Sequence, residues 1–311
     1  MDLPLTRDAQ SIITRSSASS ESNSIQEQEY RLHRRFDRAA RLFSEPGLQR
    51  LMGARVAIVG VGGVGSFTAE SLARSGVGTL RLIDFDKVCV TNTNRQLHAM
   101  QGTIGKEKVE IMAERLRLIH PTGRIETVPK FYNEENSDFV LDGDFDYVVD
   151  AIDNLRAKAH LILTCLKRKI PLVSSMGAAA RMDPTQVRVA DLGETYRDPF
   201  AAALRKMLRR DFHVDLPKGG RLGVPAVFSI EEPTLPSIPS YDQGVGFRCV
   251  CPGGKNGLHD CDRRSRIDGT ASFVTGTFGL TAASVVVKDL IQGEFAAADR
   301  VSGATLKSER R

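Results

Sequence analysis

The sequence predicts an α/β fold: a doubly wound, mainly parallel Rossmann-like sheet with a C-terminal extension. Three observations carry that expectation. Short β-branched runs without polar alternation, such as "RVAIVG" from Arg55 and "DYVVDAID" from Asp146, read as strands buried on both faces. Helical stretches alternate with these runs, the order that joins parallel strands by crossover connections. A glycine pattern, Gly60-Val-Gly62-Gly63-Val-Gly65, lies between the first such strand and the helix that follows it.

Taken in order, residues 1–28 are Ser-rich and polar, with too few apolar groups to offset the entropy of ordering them, and a disordered tail is expected. From Tyr30 to Met52 one amphipathic helical pattern is read. Phe36, Ala39, Ala40, Leu42 and Phe43 are its apolar members, and Arg35, Arg38 and Arg41, spaced three apart, share a face. After "RVAIVG", "SFTAESLARSG" has helical spacing and stops at Gly76. "TLRLIDFD" is a second strand ending in two acids. "KVEIMAERLRLIHP" is a helix ended by Pro121, and "RIETVPKF" is the third strand. "DYVVDAID" is the fourth, "NLRAKAHLILTCLKRK" a helix and "IPLVSSMG" the fifth, so the parallel sheet is expected over about residues 50–195. Beyond it, "DPFAAALRKMLRRDF" is a basic amphipathic helix, and residues 213–268 are Gly/Pro-rich with short strands such as "PAVFSI". "SFVTGTFGLTAASVVVKDLIQ" is a closing helix before a polar tail at 296–311.

Composition narrows the class. Of 311 residues, 43 are Lys or Arg and 38 Asp or Glu, a net charge of +5 that fits an anionic partner without naming one. With 41% hydrophobic and 26% charged residues the chain can bury a substantial core, which excludes collagen-like and wholly disordered classes. Five cysteines are too few for a disulfide framework, and the odd count argues for a reducing compartment. The start of the chain lacks the basic-then-apolar order of a secretory signal, so a cytoplasmic location is expected. Residues 270–287 carry no charge, but Thr270, Ser272, Thr275, Gly276, Thr277, Gly279, Thr281 and Ser284 remove most of the drive for insertion. A buried helix is expected there, not a membrane span.

The chemistry begins at the glycine pattern. Its backbone must turn tightly and approach a phosphate without Cβ atoms, and the next helix offers its N-terminal N–H groups. Asp84 ends the second strand 19 residues after Gly65, where a carboxylate accepts from ribose hydroxyls. A nicotinamide enzyme would be the default. The residues that follow argue for a triphosphate: Asp86, Asn92, Asn94, Arg95 and Gln96, then Lys108. Two cations beside the loop suit charge on an α–β bridge and a departing pyrophosphate. "DAIDN" ends the fourth strand. There Asp153 is the candidate Mg²⁺ ligand, and Asp150 caps the strand or supports the site from behind.

The pattern "RxxR…GxGGVGS…LIDxDxVxxTNxNRQ…GxxK…DAID" resembles the ubiquitin-activating-like adenylyltransferases, the group of ThiF, MoeB and HesA. Within that group it is closer to the tRNA threonylcarbamoyladenosine dehydratases. That likeness is carried by "RFDRAARLFSEPGLQRL", "FDKVCVTNTNRQ", "KVEIMAERLRLIHP", "GAAARMDPTQVRVADL", "DPFAAALRKMLRRDF" and "TASFVTGTFG", and it spans roughly residues 30–292. The resemblance implies that Gly60, Gly62, Gly63 and Gly65 line the phosphates of ATP and that Asp84 binds ribose. It implies that Asp86 and Asn92 support the site, with Asn94 and Asn154 in the same nucleotide-binding set, that Arg95 and Lys108 contact phosphates, and that Asp153 holds Mg²⁺. Arg38 matches an arginine that reaches the ATP of the other subunit, with Arg35 and Arg41 as alternatives, which implies a homodimer.

The implied reaction is ATP-dependent dehydration of N6-threonylcarbamoyladenosine beside the tRNA anticodon, through an acyl-adenylate that closes to a cyclic hydantoin. For tRNA, Arg205, Lys206, Arg209 and Arg210, followed by Lys218 and Arg221, offer a basic helix that contacts phosphates without reading sequence. A sulfur-transfer (cysteine desulfurase) partner is suggested by the company the family keeps. Cys249, Cys251, His259 and Cys261 are either a tetrahedral zinc set or a reduced mobile loop near the substrate, while Cys89 and Cys165 read as core. Two other functions stand beside the main reading: adenylation of a ubiquitin-like sulfur carrier, against which the absence of paired CxxC motifs counts, and a nucleotide-sensing module without catalysis. The expected division is therefore a tail at 1–28, an ATP-binding α/β domain at 29–200, the basic helix, Cys-containing loop and closing helix at 201–295, and a tail at 296–311.

Overall fold

The buried β-branched runs pair side by side in the computed structural model, which describes residues 34–217, 219–237, 252 and 267–292. The expected tails, Lys218 and the set Cys249, Cys251, His259 and Cys261 lie outside the described residues. The chain falls into two units, Met1–Glu45 and Pro46–Arg311.

The described part of the first unit holds α1 (Asp37–Phe43), where Arg41 pairs with Asp37 at 3.1 Å and Arg38 is exposed. The single helix expected from Tyr30 to Met52 is broken. Ser44 takes a left-handed φ of 68°, and a second helix, α2 (Glu45–Gly53), restarts with Pro46 in its first turn. Proline has no N–H to continue the preceding helix, but it fits the start of a new one.

The second unit is built on β1 (Arg55–Val59), β2 (Thr79–Ile83), β3 (Arg124–Val128), β4 (Tyr147–Asp150), β5 (Leu172–Ser175), β6 (Val187–Asp191) and β7 (Pro225–Ser229). They form one sheet in the order β3-β2-β1-β4-β5-β7-β6, parallel except where β6 runs against β7. The crossovers include α3 (Gly65–Arg74), α4 (Lys108–Ile119), the short α5 (Ser137–Val140) and α6 (Leu155–Arg168). Chain direction across the sheet reverses between β1 and β4, and the crevice at that point, beyond the carboxyl ends of the strands, is where such sheets bind ligands. The register puts Val59 beside both Ile83 and Asp150, so the glycine pattern, Asp84 and "DAIDN" leave the sheet level with one another.

The sheet continues past residue 195, further than the sequence suggests. β7 joins β5 because Asp191, at the end of β6, accepts from the N–H groups of Leu222, Gly223 and Val224 at 2.7, 2.7 and 3.2 Å and so directs the chain into the next strand. "VRVAD" escapes a search for doubly buried runs because β6 is an edge strand with Arg188 and Val189 exposed. α7 (Pro199–Asp211) lies between β6 and β7 in the chain and packs on α6.

α8 (Ser272–Gln292) is long and apolar enough to cross a membrane by length and composition, yet Val274, Phe278, Ala282, Ala283, Val286 and Leu290 are buried inside the protein. It docks on α3 through small residues. Gly63 sits against Thr275, Gly276 against the Phe67 ring, and the Thr68 hydroxyl donates to the Gly279 carbonyl at 3.0 Å. A Cβ at Gly279 would lie 2.4 Å from the Val64 carbonyl oxygen and 2.8 Å from Phe67 Cβ. Two irregular segments meet at Ala180, a residue with φ 60°: its N–H donates to the Gly269 carbonyl and its carbonyl accepts from Thr234 N–H, both at 2.8 Å.

Gly279→Ala should therefore destabilise the protein despite a gain of about 1 kcal/mol in helix propensity, because overpacking against backbone costs roughly 1–3 kcal/mol. Urea unfolding reads the difference, and a midpoint at or above wild type would show that α8 can slide away from α3.

Candidate active site

The glycine turn is shaped by contacts that tolerate no side chain. Gly60, at φ 92°, has Ala151 of the "DAIDN" turn where a Cβ would lie, 2.6 Å from its carbonyl oxygen. A Cβ on Gly65 would sit 1.8 Å from the Gly60 carbonyl oxygen. Gly62 faces open space, with Gln96 Nε2 as the nearest group at 3.9 Å from its Cβ position, which leaves its backbone approachable. Asp84 holds the turn in place: one carboxylate oxygen accepts from Val61 N–H at 2.7 Å, the other from Asp86 N–H at 2.9 Å.

Lys108 opens α4, where a positive charge opposes the helix dipole. Acids compensate. Its ammonium donates to Asp86 at 2.7 Å, and its own N–H donates to the Asp86 carbonyl at 3.0 Å. Burial favours the neutral amine, but the carboxylates of Asp84, Asp86 and Asp153 outweigh it and hold the Lys108 pKa above its ordinary value. Burial raises the Asp84 carboxyl, helped by Asp86 and opposed by Lys108. Asp84, Asp86, Lys108 and Asp153 thus form one electrostatic cluster beside the glycine turn.

The remaining expected residues divide by what they touch. Asn92 is buried and accepts from Cys89 N–H at 3.0 Å, shaping the turn that carries the next two. Asn94 donates to the Thr270 carbonyl at 2.8 Å, fastening this segment to the entry of α8. Arg95 donates to the Thr91 carbonyl and the Asn94 side chain at 2.8 and 2.9 Å. Asp153 is exposed at the mouth of the crevice, and Asn154 caps α6 by accepting from Ala157 N–H at 3.0 Å. Among the described residues no three His, Cys, Asp or Glu side chains converge as a metal cage. A Mg²⁺ ion here would take Asp153 and phosphate oxygens, which suits an ion that keeps much of its water. Cys89 and Cys165 are buried and reduced, as expected.

On α7 part of the expected basic face is already engaged. Arg205 donates to Thr195 Oγ1 and to the Leu192 carbonyl, Arg209 to the Leu216 carbonyl at 3.2 Å, and Arg210 to Asp211. Lys206 is exposed, and Arg221 lies 3.7 Å from Glu194.

Several charged groups escaped the sequence reading. Lys158 is fully buried and paired with Asp150 at 2.8 Å, while Ser174 Oγ donates to the same carboxylate at 2.6 Å. Its signal was a lysine among Ala157, Leu161 and Ile162 on the apolar stripe of α6. Asp198, whose carboxyl burial raises, caps α7 ahead of Pro199, a pattern visible in "DP". Arg181 is 3% exposed and has no such signal. His98 is fully buried, and neither ring nitrogen has a hydrogen-bond partner.

The ThiF family model matches residues 36–308 of this chain. A tRNA threonylcarbamoyladenosine dehydratase of Escherichia coli is 44% identical over 257 residues, covering 83% of this chain and 93% of its own length. A molybdopterin-synthase adenylyltransferase of the same organism is 37% identical over 141 residues, 45% of this chain and 55% of its own. A crystal structure of the E. coli tRNA N6-threonylcarbamoyladenosine dehydratase in complex with ATP superposes with a TM-score of 0.71 at 42% identity, covering 84% of this chain and 95% of that one.

The electrostatics of this cluster set a pH dependence. Burial, with the charge of Lys108 in second place, pushes the His98 pKa down to about 3. The unfolded chain takes up a proton near pH 6.5 that the native ring refuses, so stability is retained above that pH and lost as pH falls from about 6.5 toward 3. Between pH 7 and 5 His98 alone should remove about 2 kcal/mol. Urea titrations at both pH values should show a smaller loss in His98→Leu than in wild type, and equal losses would refute the assignment.

Proposed function

The chain belongs to the ThiF family, and from that footing we infer that it is a tRNA threonylcarbamoyladenosine dehydratase, an ATP-dependent enzyme of tRNA modification. The observation that carries the reading is a buried lysine held charged by three carboxylates beside an open glycine turn, in a chain that aligns along 93% of the E. coli dehydratase.

The chemistry follows from what the substrate lacks. A carboxylate oxygen is a poor leaving group, so the threonyl carboxylate attacks the α-phosphorus of ATP and pyrophosphate departs. The ureido nitrogen then attacks the activated carbonyl carbon, the bond to AMP breaks and the nitrogen's proton goes to solvent, leaving the cyclic hydantoin. The sum is loss of water from the nucleoside. No enzyme nucleophile is needed, because the attacking nitrogen is already held at high effective concentration.

In this scheme Gly60, Gly62, Gly63 and Gly65 cradle the phosphates with the N-terminus of α3, and Asp84 takes the ribose. Lys108 exchanges Asp86 for phosphate oxygens, and Arg95 swings from its carbonyl partner to the leaving pyrophosphate. Asp86, Asn92, Asn94 and Asn154 keep these groups in place. Asp153 holds Mg²⁺, which supplies charge neutralisation on the phosphates. Arg38 serves the ATP of a second subunit in a homodimer. Lys206, Arg210 and the remaining cations of α7 meet the phosphates of tRNA, the work is cytoplasmic, and a sulfur-transfer protein accompanies it. Adenylation of a sulfur carrier is the less supported alternative, since the molybdopterin-synthase adenylyltransferase aligns with 45% of the chain against 83% for the dehydratase.

The protein incubated with ATP, Mg²⁺ and tRNA bearing threonylcarbamoyladenosine should yield a nucleoside lighter by one water, with AMP released. AMP–pyrophosphate exchange only with a carrier protein would replace this reading by the alternative. Lys108→Ala should lower turnover by at least a hundred-fold, as loss of a transition-state charge contact does, and unchanged turnover would mean the phosphates lie elsewhere. Lys206→Glu with Arg210→Glu should weaken tRNA binding and flatten its salt dependence by about one to two units of slope, while ATP affinity stays constant. An unaltered salt slope would move the RNA surface off α7.

A further inference from the structure

Four buried charges lie at the carboxyl ends of β4, β5 and β7, and the scheme above does not use them. Two satisfy each other, Asp150 and Lys158 at 2.8 Å. The other two do not. Arg181, six residues beyond β5, is 3% exposed, and its Nε and Nη1 are buried without a hydrogen-bond partner. Asp198 is equally buried; one oxygen caps α7 by accepting from Ala201 N–H at 2.9 Å, the N–H groups of Phe200 and Ser229 also lie near the carboxylate, and the other oxygen, Oδ2, completes no hydrogen bond. Arg181 and Asp198 feel each other's charge without a hydrogen bond between them. Phe200 and Gly177 close in on the same spot: the Phe200 ring centroid lies 5.9 Å from the Lys158 ammonium, and a Cβ on Gly177 would lie 3.1 Å from Phe200 Cβ and 3.7 Å from Asp198 Oδ1.

Buried polar atoms in native proteins are nearly always paired, so two idle donors and an idle acceptor in one cluster call for a bridging group. That group must carry an acceptor oxygen and an N–H close together. A ureido group has this pattern, a carbonyl oxygen flanked by N–H groups. Its place also fits the sheet. If the carboxylate of the threonyl arm lies at the phosphates over β1 and β4, the rest of the arm would extend toward β5, the next strand, six residues before Arg181. We propose that Arg181 and Asp198 receive the ureido group of the substrate's threonylcarbamoyl arm, Arg181 donating to its carbonyl oxygen and Asp198 accepting from its N–H. The proposal rests on the dehydratase reading and adds to it the means by which modified adenosine is told from plain adenosine.

The test compares Arg181→Met with wild type. Methionine fills similar space and removes every donor; it also takes the positive charge away from the buried Asp198 carboxylate, so a modest fall in Tm goes with it. Three measurements are made: the melting temperature without ligands, ATP affinity, and the ratio of affinities for tRNA with and without the threonylcarbamoyl group, in a non-hydrolysable ATP analogue. The expected result is at most a modest fall in Tm with unchanged ATP affinity, while the preference for modified tRNA drops on the order of ten- to a hundred-fold and KM for modified tRNA rises by a similar factor. Arg181→Lys should recover part of the preference, and Asp198→Asn, which keeps the capping oxygen, should lose part of it. Arg181→Met retaining the full wild-type preference overturns the proposal and leaves an ordered water as the bridging group. A fall in Tm together with ATP affinity also overturns it, because it would make Arg181 a structural residue. Neither result touches the dehydratase reading, which fails only if the wild type releases no AMP with modified tRNA.

Discussion

One carboxylate organises the carboxyl end of this sheet. Asp84 accepts from Val61 N–H and Asp86 N–H at once and so ties the turn after β1 to the turn after β2. Without that tie the glycine turn would be held by close packing and backbone bonds alone, because glycine supplies no side-chain anchor of its own. The same carboxylate helps keep Lys108 charged at a helix N-terminus that would otherwise repel it. A single buried acid therefore helps set both the shape of the glycine turn and the charge beside it.

The second buried acid works differently. Asp150, level with Val59 in the sheet, is neutralised by Lys158 from α6 and held by Ser174 from β5, so three elements converge on one carboxylate. Buried ion pairs contribute little net stability, because desolvation offsets most of the attraction, but loss of one partner leaves an uncompensated charge. The pair acts as a registration device: β4, α6 and β5 meet in one arrangement, and Asp153 sits three residues along from it at the crevice.

How legible this was depended on burial pattern. Strands β1, β4 and β5 were readable as apolar runs of the kind doubly buried parallel strands show, whereas β2, interrupted by Arg81, and the edge strand β3, interrupted by Glu126, were readable from their place between helical stretches. β6 was not, because an edge strand with Arg188 and Val189 facing solvent has neither the run nor a clean alternation. The glycine turn, Asp84, Lys108 and Asp153 drew notice in the sequence because each stands just after a strand or at the start of a helix, where local pattern marks the position. Arg181, Asp198 and Lys158 were not, because their meaning arises only when the ends of three strands are brought together. The break at Ser44 was hidden because the apolar pattern continues through it, although Pro46 marks the restart.

Ala180 is bonded on its two sides to Gly269 and Thr234, which carries a consequence for how the chain can vary. Whatever lies between those two residues begins and ends at one point of the scaffold. For a flexible connection, closure entropy rises only with the logarithm of length, about 0.6 kcal/mol for each doubling, so the two bonds at Ala180 fix the span that any connection must close far more tightly than its length does. One alanine in a left-handed turn thereby acts as a clasp, holding the strand-end segment at Thr234 and the entry to α8 at Gly269 to a single backbone position.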